Sequence, residues 1–491
     1  MPVPVSPIPN SIIRAMAVIS GPDRFRRTVA RPRRRAGEAW LLAGSALLLL
    51  WPALDNGFPL IFSDTGTYIS QAMELHLGWD RPPFYSFLLL ALDWGRTLWP
   101  PVIAQCFCAA WLVRRTQSMV FPESGGIAGA VAMALLAGAT ALPWTAAQVM
   151  PDIFTPIMVL ALAIMVLDDD CTWLERGALM AVIALAIAVH LSNPPIYAGL
   201  CLTVLVPRAV LFRRRVPWFG VLAPFAVGVA ALIGANVVAS GQMSLSPYGS
   251  TFLLARLLAD GPARAVLSRD CPGAGWALCR YRRDLPRSAD GFLWRVGSPL
   301  YRAGGPVRLI GQTDAIILRT MRDEPVTVAR DAARDFVLQL TIFAPGSGLR
   351  PWRATAAATI RRDFAPATVR ALNGSLQARD ELRVPLVMLV VDRGGALLGL
   401  AITAGFVGVS AAEATLHRLR TGMWRLIDAR LFTLSAIVLL ALLGNAAVTG
   451  ALSGPHARYQ SRVVWLAVLT GALTLQRVYS ARCSRPISTT T

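Results

Sequence analysis

The sequence predicts an all-α polytopic membrane protein of about ten transmembrane helices with a large periplasmic loop domain. Three observations carry this. Of 491 residues, 55% are hydrophobic and only 15% charged, against about 25% charged in an ordinary soluble domain. The apolar residues gather in runs of helical length. The basic residues cluster beside alternate gaps between those runs, which is the positive-inside pattern.

The net charge is +20, and the 48 basic residues include no lysine. Such an excess can mark a nucleic-acid surface. Here it sits in short clusters flanking apolar runs, so it reads as membrane topology and no nucleic-acid partner is expected. The all-arginine usage fits a GC-rich bacterial genome, and hence a bacterial inner membrane.

Residues 1–38 form a basic cytoplasmic arm carrying Arg24, Arg26, Arg27, Arg31, Arg33, Arg34 and Arg35. The first apolar run, 39–54, follows a long n-region. No Ala-x-Ala site precedes Asp55, so it reads as a retained anchor and not a cleaved signal peptide. Further runs lie near 98–113, 125–142, 152–167, 176–190, 195–212, 217–239, 394–411, 431–448 and 463–476. Several fall short of the roughly 20 residues that span a bilayer, so their ends must extend. Alternation places both termini in the cytoplasm. It also puts Arg114, Arg115, Arg176, Arg213 to Arg215, Arg418, Arg420, Arg425 and Arg430 inside, with Arg477, Arg482 and Arg485 in the tail 477–491.

Residues 39–239 then make an N-terminal transmembrane module with a first periplasmic loop at 55–97. Residues 240–393 make the loop domain, which long loops permit despite its arginines. Residues 394–476 hold the C-terminal helices. The short apolar run 384–391 reads as an interfacial lead-in that stops at Asp392 and Arg393. Asp168, Asp169 and Asp170 read as a solvated turn. Cys271 and Cys279 lie eight residues apart in the loop domain, where an oxidising compartment favours a disulfide over two free thiols. No Cys-x-x-Cys pair or His-rich cluster suggests structural zinc.

The first outer loop carries the most chemistry. It reads Asp55-Asn-Gly-Phe-Pro-Leu-Ile-Phe-Ser-Asp64-Thr-Gly-Thr-Tyr-Ile, then Asp80-Arg81-Pro82-Pro83-Phe84-Tyr85. A carboxylate this close to a membrane face is costly without a partner or a task. Asp64 could serve as a helix N-cap or as a functional acid. Two prolines after Arg81 set the entry of a re-entrant or surface-lying helix at 84–92. Arg458, Tyr459 and Arg462 lie in the last outer loop, where arginine forks suit phosphate and an interfacial Arg-Tyr pair also suits lipid headgroups. His190 ends the fifth run before Ser192-Asn193-Pro194-Pro195, either lining a cavity or capping. Asp152 follows Pro151 and reads first as a first-turn acid.

An acidic residue just after the first helix, followed by Arg-Pro-Pro-x-Tyr, resembles the GT-C superfamily of polytopic membrane glycosyltransferases, in the manner of the aminoarabinose and protein-mannosyl transferases. The motif spans about thirty residues, while the likeness in topology covers most of the chain. The resemblance implies an inverting transfer of sugar from a polyprenyl-phosphate donor to a lipid or cell-envelope glycan acceptor at the periplasmic face. Asp64 would be the catalytic base, Arg81, Arg458 and Arg462 would hold phosphate, and Tyr85, His190 and Tyr459 would shape the pocket. Family members often pair two acids. Here Asp64 stands alone, and a divalent cation prefers several oxygen ligands, so neither metal nor other cofactor is expected. A transporter or flippase, or a non-catalytic envelope scaffold, are the rival readings.

Overall fold

The computed structural model describes residues 32–483, apart from 94, 123–125, 425 and 427. Most of the expected arm, 1–31, and residues 484–491 of the tail lie outside the described residues. Within them the chain is all-helical, apart from one isolated bridge between Leu60 and Gln148.

Five helices are long and apolar enough to cross a membrane: Gly37–Asn56, Trp218–Ser240, Leu386–Thr421, Ala429–Leu452 and Ala457–Ala481. They suggest a multi-pass membrane protein. Phe84–Asp93, Ala128–Ala139 and Pro151–Leu167 are apolar but shorter.

The stretch 384–391 does not form a separate lead-in. Leu386–Thr421 runs unbroken for 36 residues, about 54 Å at 1.5 Å per residue. Asp392 interrupts the hydropathy but not the helix, because its carboxylate is buried and accepts the Ala141 N–H at 2.9 Å. This helix packs against Ala457–Cys483 through glycines. A Cβ on Gly399 would stand 2.7 Å from the Ala467 carbonyl oxygen, and one on Gly471 2.9 Å from the Gly399 Cα. Small residues let backbones approach in this way where water cannot drive association. Thr403 and Thr470 share a hydroxyl hydrogen bond at 2.9 Å across the same seam.

The helix bundle has two chemically distinct ends. At one, Arg115 pairs with Asp168 at 2.8 Å and Glu175 at 3.4 Å, and Arg430 reaches Asp169 at 3.8 Å. Asp168 is therefore no solvated turn residue. It is buried, with Arg115 as its counter-charge. At the other end the segments 55–97, 143–151, 190–193 and 449–462 converge. The Leu60 N–H donates to Ala147, and the Val149 N–H donates back to Leu60. The Thr65 hydroxyl donates to the Val149 carbonyl at 2.9 Å.

Residues 240–393 divide. The part from Gly249 through Val328 has its own core, including Leu254, Leu258, Leu267, Phe292 and Ile316. Cys271 and Cys279 are joined there by a disulfide. The part from Phe343 through Leu382 instead joins the main core with residues of the segment 55–97. Gln377 pins it, accepting the Ile61 N–H at 3.0 Å and donating to the Ile61 carbonyl at 2.7 Å. The helix Ala356–Asp363 lies so close to Thr65–Glu74 that a Cβ on Gly66 would stand 3.0 Å from the Ala356 backbone.

Candidate functional site

A cavity of about 1190 Å³ lies between this end of the bundle and residues 246–294 and 352–362, and its lining includes Asp64, Arg81, His190, Asp290, Arg458 and Tyr459. Asp64 occupies the N-cap position of Thr65–Glu74, but its side chain makes no capping bond. It turns outward to two arginines from distant parts of the chain. Oδ2 accepts from Arg81 Nη2 at 2.7 Å and from Arg458 Nη2 at 3.3 Å. A carboxylate facing two guanidiniums in a half-buried site is a strong electrostatic element. Burial opposes the charge on Arg81, and Asp64, then Tyr68 and Asp80, outweigh it, so its pKa is raised.

Arg458 connects this pair to a second acid. Its Nη1 stands 3.8 Å from Asp152 Oδ2, and its guanidinium lies 4.2 Å over the Phe62 ring. Asp152 is more than a first-turn residue. It is buried and its Oδ1 accepts from Arg462 Nη1 at 3.1 Å. A cavity of about 20 Å³ borders Asp152 and Arg458, room for about one water molecule.

Arg462 does not reach the main cavity. It is fully buried, with Nε and Nη2 donating to Asn445 Oδ1 at 3.2 and 2.8 Å, and Nη2 donating to Ser192 Oγ at 2.9 Å. Its Nη1 also lies 2.9 Å from His190 Nε2. With its donors taken, it cannot hold a ligand phosphate as expected, and instead ties Asp152 and His190 in place. On the far side of the ring, His190 Nδ1 lies 3.3 Å from the Ser192 backbone nitrogen and 2.9 Å from Ser192 Oγ. His190 thus both caps its helix and faces the cavity. Tyr85 does not line the cavity either. It is buried behind Tyr68, its ring 4.9 Å away, and its hydroxyl donates to Gln105 at 2.6 Å. Tyr459 does line it.

Asp290 from residues 249–328 meets His456 at the rim, Oδ2 to Nε2 at 3.3 Å. That hydrogen bond is the main cause that lifts His456 from its ordinary 6.5 to about 9, and it also lowers Asp290. Asp80 shifts upward because burial disfavours its charge.

Sequence reading missed Asp152, Ser192, Asn445, Asp290 and His456 as members of this site. Only Asp152 left a signal, an acid at the mouth of an otherwise apolar run. Among the described residues no group of three or more His, Cys, Asp or Glu side chains is placed to hold a metal ion. Comparison with protein-family models, characterised proteins and solved structures finds no match to this chain.

Proposed function

We propose that the chain is a GT-C-like inverting glycosyltransferase of the bacterial inner membrane, with about ten spans, both termini in the cytoplasm and the cavity on the periplasmic side. The observation that carries this reading is the meeting of Asp64, Arg81 and Arg458 in one cavity at one end of an apolar bundle. Residues 17 and 394 positions apart in sequence converge on one carboxylate oxygen.

Asp64 and its arginines form a resting ion cluster. The phosphate of a polyprenyl-phosphate sugar is a stronger bidentate partner for guanidinium than one carboxylate oxygen. On its arrival Arg81 and Arg458 turn to phosphate and Asp64 is released. The acceptor hydroxyl then attacks the anomeric carbon and gives its proton to Asp64. The bond from that carbon to the phosphate oxygen breaks with its electron pair. Polyprenyl phosphate leaves as an anion neutralised by the two arginines. Attack opposite the leaving group inverts the anomeric centre. Asp152, Arg462, His190 and Ser192 hold Arg458 and the cavity wall in register without touching the reacting atoms.

The test is transfer of labelled sugar from a panel of polyprenyl-phosphate donors in membranes holding the wild type or Asp64→Asn. Transfer by the wild type, lost in Asp64→Asn, is expected. Equal transfer by both removes Asp64 as base, and no transfer from any donor removes the enzyme reading.

A further inference from the structure

One wall of the cavity is aromatic and is not used by the phosphate chemistry above. Phe252 and Trp294 both line the cavity. Trp79 supports them from behind, 5.6 Å from the Phe252 ring and stacked 5.8 Å from Trp294 at 27°. Phe252 and Trp294 themselves meet at 6.0 Å. These rings come from separated stretches, one before Arg81 and two within residues 249–328, so no local sequence pattern announces them.

An aromatic cluster is more often hidden in a core. This one leaves Trp294 41% exposed. The residue is also held in place: its backbone N–H donates to the Asp290 carbonyl at 2.8 Å, and the Arg81 guanidinium lies 5.5 Å from its ring. Around it the cavity lining supplies Asp80, Arg81, Ser250, Asp290 and His456. A rigid, partly exposed aromatic surface edged by carboxylates, a guanidinium and a hydroxyl suits one class of ligand well. The C–H face of a pyranose ring packs on aromatic carbon, while its hydroxyls take up in-plane donors and acceptors. A lipid tail would desolvate those polar groups without offering them a single hydrogen bond. A uronic acid would bring a carboxylate against Asp80 and Asp290.

We propose that Trp294 and Phe252, edged by Asp80 and Asp290, form a subsite for the pyranose ring of a neutral sugar, placed beside Asp64 through Arg81. The assignment to the sugar of a transferred donor rests on the transferase reading, whereas binding of the sugar itself does not. Arg81 links the two places physically, since it pairs with Asp64 at 2.7 Å and lies over Trp294.

The experiment is saturation-transfer NMR on the full chain in sugar-free lipid nanodiscs. The probes are methyl glucoside, methyl mannoside, methyl galactoside, methyl glucuronide and dodecyl phosphate. Transfer to the ring protons of at least one neutral glycoside is expected. It should fall at least about fivefold in Trp294→Ala, persist in Trp294→Phe and persist in Asp64→Asn, given an aromatic contact as the main anchor. Matched melting curves establish that each variant is folded. Absence of transfer to every neutral glycoside overturns the subsite. So does an unchanged signal in Trp294→Ala, an equal signal from the glucuronide, or displacement of the glycoside signal by dodecyl phosphate as competitor in Asp64→Asn. The two readings separate cleanly. Glycoside binding without any labelled-sugar transfer removes the transferase and keeps the subsite. Sugar transfer undiminished in Trp294→Ala does the reverse.

Discussion

Replacing Asp152 by asparagine tests the network behind the cavity. The change keeps the shape and removes the charge facing Arg462 at 3.1 Å and Arg458 at 3.8 Å. Arg462 is fully buried, and its remaining acceptors, Asn445, Ser192 and His190, are all neutral. Leaving a buried charge without its counter-ion costs about 3–5 kcal/mol. Unfolding entropy of about 2.1 cal/mol/K per residue over 491 residues makes each degree worth about 1 kcal/mol. Asp152→Asn should therefore melt about 3–5 °C lower. Arg462→Gln should cost less, about 2 kcal/mol, because Arg458 still faces Asp152. The double variant should lose at least about 1.5 kcal/mol less than the sum of the two. The assay is thermal unfolding of the purified protein in detergent, followed by intrinsic tryptophan fluorescence. Losses that add to within about 0.5 kcal/mol would show the two residues to be uncoupled and refute the reasoning.

Three further perturbations address other levels. Arg458→Lys keeps one positive charge but cannot present a fork to Asp64 and Asp152 together, so sugar transfer should fall about 10²-fold with little change in melting temperature; transfer at the wild-type rate in membranes would count against that role. The raised pKa of His456 means its contact with Asp290 is fully present below pH 6.5 and is lost as pH rises through about 9. With His456 40% exposed, solvent screening limits the contribution to about 1 kcal/mol. Melting curves should fall by about 1 °C across that window, and His456→Asn should flatten the slope. Gly399→Ala should destabilise by about 1–3 kcal/mol through a clash with the Ala467 carbonyl. On the same helix, Gly408→Ala has open space before it and should stabilise slightly, by at most about 1 kcal/mol.

The all-helical, membrane-like class was legible because apolar runs and flanking arginines report directly on burial in lipid. The meeting of Asp64, Arg81 and Arg458 was approachable because each sits in a segment that alternation puts at one end of the bundle. Asp152 does sit in the first turn that the sequence predicts, but its ion pairs were hidden for a physical reason. Next to Pro151 it satisfies the local rule for a first-turn acid, and its partner lies 310 residues away. Arg462 was misread the other way, since exposure is a property of packing and an Arg three residues after Tyr459 looks as available as Arg458. The split of 240–393 was equally hidden. Gln377 reads as a loop residue until its amide is seen clamping Ile61. Asp392 looked like the end of an apolar run because sequence does not show the Ala141 N–H that donates to it.

The central claim is that Asp64 holds the phosphate-binding arginines at rest and becomes the base when they are taken. One variant separates those roles. Donor binding and single-turnover transfer are measured on the same preparation, wild type against Asp64→Asn. Removing the carboxylate frees Arg81 and Arg458, so the donor should bind as tightly or more tightly. The chemical step should slow about 10²–10⁴-fold for want of a base. Weaker donor binding with an unchanged chemical step would contradict the account, because Asp64 would then be a ligand contact and not the group that accepts the proton.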